Sequence, residues 1–156
     1  MFSETKTKFL HELTVGDNTG VLKLRLIHSW KSTNPANPGY VYDYSTLWVD
    51  ETGMLIHGLS DRNFAGHLES KLSTGSVYCI KEFITRPAKE LYRPCMNNIC
   101  ISIVPATDFE DVTAFATDFV SDSFDFCQFE SLRNRAGINT ILTGRMYCAY
   151  ALLNYV

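Results

Sequence analysis

An all-β domain, a five-stranded barrel with one helix between its third and fourth strands, is what this sequence predicts, and three observations predict it. Residues 45–60, STLWVDETGMLIHGLS, read as two strands joined by a tight turn. Segments 21–31, 76–85 and 98–104 are rich in β-branched and aromatic residues and alternate in polarity at least in part. Only residues 62–72 repeat apolar side chains at helical spacing with a good cap in front of them.

The hairpin organises the rest. Leu47, Trp48 and Val49 fit a pleated surface, and Asp50-Glu51-Thr52-Gly53 offers turn chemistry with a glycine free to take positive φ. A three-residue loop of Glu51, Thr52 and Gly53 sets Val49 opposite Leu55, Leu47 opposite His57 and Trp48 beside Ile56. In the first strand, residues 21–31, simple alternation puts Leu22, Leu24, Leu26, His28 and Trp30 on one side and Lys23, Arg25, Ile27, Ser29 and Lys31 on the other. A strand of that length is expected to bend part-way, as barrel strands do.

Two prolines, two asparagines and a glycine in residues 32–42 predict a loop. After the hairpin, Ser60 or Asp61 caps a helix over 62–72 in which Phe64, Leu68 and Leu72 form a narrow stripe suited to plugging one end of a barrel. Residues 86–97 connect the last two strands. Five strands with one helix between the third and fourth is the pattern of the OB-fold, a small, partly open barrel.

With 156 residues the chain is read as one domain with additional segments: an N-terminal arm at 1–20, the barrel at 21–104, an acidic, Phe-rich connector at 105–142 and an atypical tail at 143–156. Charge divides along those lines. The barrel carries nine Lys/Arg against seven Asp/Glu, whereas residues 105–130 carry seven acids and no cation. Either the acidic segment docks on a basic groove, or part of it is a helix beside the barrel.

Five cysteines without a C-x-x-C pair predict neither a disulfide framework nor a zinc site, and a start lacking an apolar run fits a reducing nuclear or cytoplasmic compartment. The last apolar run, 146–153, is shorter than the roughly 20 residues a bilayer span requires, so no membrane is expected. No nucleophile elbow, zinc-protease, P-loop or dinucleotide motif is present, and His11, His28, His57 and His67 lack metal-ligand spacing; no catalysis and no cofactor are expected.

The run W-x12-D-Y-S-T-L-W-V-D-E-T-G-M-L-I-H from Trp30, followed by F-x3-L, G-S-V-Y-C-I, an L-Y-R loop and I-C-I-S-I-V-P-A-T, resembles the OB-folds of the large subunit of replication protein A, with plant and transposon-related members most similar. The resemblance spans about residues 8–143. It implies single-stranded DNA as partner, nuclear location, and a role in replication, repair or recombination alongside other replication protein A subunits or repair proteins. In such domains the third strand offers a cation and a base-stacking aromatic; the matching positions here hold Ile56 and Ser60, while Tyr92 matches the loop aromatic. Arg25, Lys31, Arg86, Lys89 and Arg93 are then expected on phosphates, and Tyr92 with Trp48 or Trp30 on bases, in a groove between loops 32–42 and 86–97. The alternative is a degenerate OB-fold serving mainly in protein–protein association.

Overall fold

In a computed structural model, residues 6–119 are described. Eight strands occur in them: β1 (Thr7–Lys8), β2 (Val21–Asn34), β3 (Asn37–Val49), β4 (Leu55–Asp61), β5 (Val77–Lys81), β6 (Ile84–Pro87), β7 (Ile99–Ile103) and β8 (Asp108–Asp111), with one helix, α1 (Ala65–Lys71), between β4 and β5. Neighbours across the sheet run β6-β7-β4-β3-β2-β5-β8, and β1 pairs in parallel with Val21 and Leu22 at the start of β2. Because β5 and β6 are one stretch of chain bent at Glu82 and Phe83, the sheet curls back on itself. β5 pairs with β2, and β6 pairs with β7. This is the OB-fold expected, its fourth strand split in two.

The bend has a visible cause. Glu82 takes φ of 54°, Phe83 is driven fully into the core, and Thr107 Oγ1 donates to the Glu82 carbonyl at 3.0 Å. The predicted single strand over 76–85 is therefore two strands. The predicted loop over 32–42 is also corrected, because β2 and β3 continue as a hairpin arm that turns at Pro35 and Ala36, where Asn34 Oδ1 accepts from the Ala36 amide at 2.9 Å. Pro38 fits there because the pairing is irregular near the tip, with register shifts at Ser32–Asn34, so a missing amide breaks no regular ladder.

The central hairpin has the register expected: Val49 opposes Leu55, Leu47 opposes His57 and Trp48 opposes Ile56. Its turn is wound around a carboxylate. Asp50, 2% exposed, accepts from the Thr52 amide and hydroxyl, the Met54 amide and the amide of Leu10. That last bond ties in the N-terminal segment, whose Leu10 and Leu13 join the barrel core with Leu22, Leu24, Leu26 and Tyr44. Asp61 caps the 3-10 turn Arg62–Phe64 ahead of α1, accepting from the Asn63 amide at 2.8 Å, and Leu68 and Leu72 fill the core as the stripe predicted.

The acidic segment contributes β8 against β5 and the 3-10 turn Thr113–Phe115. Phe119 then joins Val49 and Val77 in a second apolar cluster. The rest of the predicted connector and the 143–156 tail lie outside the described residues.

Replacing Asp50 with Ala leaves the buried Leu10 amide and the partly buried Thr52 and Met54 amides without this acceptor, and is expected to cost about 3 kcal/mol. Urea unfolding checks this through a lowered midpoint at unchanged slope. A loss below about 0.5 kcal/mol would show that the turn holds without its carboxylate.

Candidate nucleic-acid interface

A β-bulge decides which residues face outward. Leu26 opposes Trp48 and the next regular pair is His28 with Leu47, so Ile27 is an extra residue in β2. Before it, Leu22, Leu24 and Leu26 point inward; after it the alternation is reversed. Trp30 and His28 accordingly share a face with Lys23 and Arg25, not with the leucines as simple alternation predicted.

On that outer face the registers line up residues from five strands. Trp30, Ser45, Leu59, Ser102 and Ile84 form one row, and His28, Leu47, His57, Cys100 and Arg86 the next. The Trp30 ring lies flat on the His57 imidazole, centroids 5.8 Å apart and planes within 7°. His57 is only 4% exposed beneath it, and Ser45 is buried. Ser45 Oγ donates to Asp43 Oδ1 at 3.1 Å; having one proton, it accepts from His57 Nε2, also at 3.1 Å, which puts a proton on Nε2. Lys89 Nζ closes the network on Asp43 Oδ2 at 2.7 Å.

Burial pushes the His57 imidazole down from its usual 6.5 to about 4; the Lys89 charge adds to this and the Asp43 charge opposes it. Burial alone would raise the Asp43 carboxyl, but hydrogen bonds from Lys89, Ser32 and Ser45 outweigh it and hold the group below its ordinary value.

Residues 88–98 reach over this face. Asn97 Nδ2 donates to the Leu55 carbonyl at 3.0 Å, pinning the loop to β4, and Arg93 Nη2 binds the carbonyls of Met96 and Asn97 and Oδ1 of Asn98 within 2.9 Å. Arg93 thus shapes the loop from inside. Tyr92 projects from it, 56% exposed, on a backbone with φ of 57° that a tyrosine rarely adopts. Leu91 and Met96 are exposed beside it.

The remaining predicted site residues divide. Trp48 is fully buried, its Nε1 donating to Thr46 Oγ1 at 2.7 Å and its ring against Tyr78 and Phe109, so it is a core residue and presents no surface for a base. Ile56, opposite it, is likewise fully buried. Lys31 pairs with Glu69 of α1 at 3.0 Å, across β2 from Trp30. Arg25 lies over the Phe119 ring at 5.4 Å, towards the Val49 end of the face and away from Lys89. Arg86 is exposed on β6 and borders a cavity of about 720 Å³ shared with Tyr42, Ser60, Asp61, Phe64 and Ser102. Trp30 and Arg86 thus lie in the rows of the face, Lys89 meets it through Asp43, and Tyr92 stands exposed on the loop that carries Lys89, while Trp48, Lys31, Arg25 and Arg93 have other structural partners.

His57, Ser45 and Asp43 were not foreseen as parts of the site. The hairpin register did contain a signal, since it put His57 and Leu47 opposite each other; the link to Trp30 needed the bulge.

Since His57 stays neutral in the fold while an unfolded chain protonates it near pH 6.5, stability should be full above about pH 6.5 and fall by about 3 kcal/mol as pH drops towards 4. The check is the pH dependence of unfolding compared between the protein and His57→Gln. Parallel profiles from pH 7 to 4.5 would refute the assignment.

Similar architecture occurs in solved structures. A replication protein A heterotrimer bound to ssDNA superposes with a TM-score of 0.61 at 19% identity over 81% of this chain, and the chain spans 29% of that one. Fission yeast Pot1 with ssDNA gives a TM-score of 0.53 at 9% identity over 72% of this chain and 41% of that one. The Schizosaccharomyces pombe Pot1pC domain bound to ssDNA gives the same score and identity, covering 91% of that chain. No curated protein matches the sequence. A family model matches residues 11–134, most of the barrel and its flanks, and the chain therefore belongs to the family described as a domain of unknown function, DUF223.

Proposed function

We propose that this protein binds single-stranded DNA without catalysis, along the outer face that runs from Trp30 to Arg86. The observation that carries the reading is the Trp30 ring lying flat on buried, neutral His57, between a hairpin arm and the loop that carries Lys89 and Tyr92, with Arg86 on the neighbouring β6. A ring held flat from below offers its other surface to a base, and every base has such a surface. The cations then serve the backbone. Lys89 is engaged with Asp43, but that pair is 40% and 20% exposed, and exposed pairs hold each other by only about 0–1 kcal/mol, so a phosphate can replace the carboxylate. Nuclear location, a part in replication, repair or recombination, and partnership with other replication protein A subunits or repair proteins belong to the same proposal.

A second reading has its own support. Lys31, Lys89 and Arg93 all have partners within the chain, and Arg25 is stacked on Phe119, which leaves a weak field for a polyanion. Exposed Leu91, Tyr92 and Met96 suit a protein partner instead.

Fluorescence anisotropy with an oligothymidine strand separates the two. Trp30→Ala should weaken binding about tenfold, the equivalent of one stack of roughly 1–3 kcal/mol. The double variant Arg86→Ala/Lys89→Ala should flatten the salt dependence by a slope of about 1.4, two contacts at about 0.7 each on a single strand. An unchanged slope removes the phosphate role. No measurable binding at low salt leaves the protein-association reading in its place.

A further inference from the structure

The cavity beside Arg86 has a feature that the stacking face does not explain. Ser60 is 5% exposed and lines the cavity, yet its Oγ has no hydrogen-bond partner. A buried hydroxyl left unpaired costs stability, and in native proteins such a group calls for an explanation. The surrounding walls are chemically specific. Asp43 and Asp61 bring carboxylates, Arg86 a guanidinium, Tyr42 and Phe64 aromatic rings. At about 720 Å³ the space lies within the roughly 300–1,000 Å³ of small-ligand sites.

Resting on the single-strand reading above, we propose that this cavity is a base-selective subsite, which takes one unstacked nucleobase bearing an amino group in preference to thymine. Among its side chains the Asp43 and Asp61 carboxylates only accept hydrogen bonds, with Asn63 and Arg86 as donors beside them. Asp61 uses one oxygen to cap the Arg62–Phe64 turn, a carboxylate has about four acceptor positions, and Asp43 stands ionised nearby. The amino groups of cytosine, adenine and guanine donate to such oxygens; the edge of thymine sets two carbonyls on either side of its single N–H and meets the carboxylates with like polarity. Ser60 Oγ is closed off from solvent behind the lining as it stands, so it reaches the base only once the lining side chains part, and then donates or accepts as the base requires. Arg86, at the rim, neutralises the phosphate of the inserted nucleotide, and Tyr42, 54% exposed, stacks on it.

The experiment uses the full chain and a thymidine oligomer in which each position in turn is replaced by dC, dA, dG or an abasic site, read by anisotropy. At one position an amino-bearing base should tighten binding about tenfold over thymine. Asp61→Asn retains a helix-capping side chain but gains an amide donor, so it should shrink that preference several-fold or reverse it, and Ser60→Ala should reduce it while oligothymidine binding stays within about twofold. Equal affinity for all bases at every position overturns the subsite and leaves the stacking face standing. A preference that survives both variants also overturns it. Failure of every oligomer to bind overturns the subsite together with the reading beneath it.

Discussion

The Ile27 bulge is the constraint on which this arrangement depends. A strand in regular register has one inward and one outward set of side chains for its whole length, and β2 has to serve two incompatible purposes. Its first half must present Leu22, Leu24 and Leu26 to the barrel interior, while its second half must present Trp30 to the exterior. One extra residue reverses the alternation. Backbone bonds hold the irregularity from the β5 side: the Gly75 amide donates to the Leu26 carbonyl at 2.7 Å, and the Leu26 amide to the Ser76 carbonyl at 2.9 Å. The bulge is thus part of the connection between α1 and β5 as well as of β2, and the outer face cannot be altered there without disturbing barrel closure.

Inside the barrel a comparable constraint fixes the spacing of β3 and β4. Thr46 donates to the Gly58 carbonyl and accepts from the Trp48 indole, and a Cβ on Gly58 would collide with both side chains. Only glycine lets the two strands carry that pair of polar groups in the core. On the outer surface of the same strands, Ser45 and His57 are buried with a complete chain of partners running to Asp43 and Lys89. Buried polar groups arranged in this way cost little once every member is paired and give the face a defined shape. Rigid support under Trp30 follows from that chain.

How much of this was legible in the sequence depended on the range of the interaction. The hairpin, its turn and its register follow from about fifteen contiguous residues, and so does the cap at Asp61; local chemistry decides them. The bulge does not, because Ile27 looks like any other strand residue until its pairing with β3 and with the Gly75 turn is known. Glu82 is similar: nothing in its neighbours marks a positive φ, which is set by Thr107 from a distant turn and by the burial of Phe83. The prolines of the hairpin arm were visible but misread, since turn residues at 35 and 38 end a strand only where a regular ladder would need their amides. For the site, Arg86, Lys89 and Tyr92 were identifiable by type and position. Trp48 against Trp30 was undecidable by type alone, and the choice between them came from which one the bulge turned outward.

Charge and shape together set what this face can do. The chain is formally negative at −3, and the cations near its outer surface are partly neutralised within the fold: Lys23 by Glu51 at 2.6 Å and Lys89 by Asp43. Arg25 is covered by Phe119, which belongs to the acidic segment. Long-range attraction of a polyanion is therefore weak. Binding on the proposed face must come chiefly from short-range contacts, a flat ring on Trp30, an exposed one on Tyr92 and replacement of Asp43 at Lys89, each of which requires a base or phosphate already in place. On the proposed reading, such a surface would select an unpaired strand by shape more than by charge, since double-stranded DNA, whose bases are already stacked on one another, offers it phosphates alone.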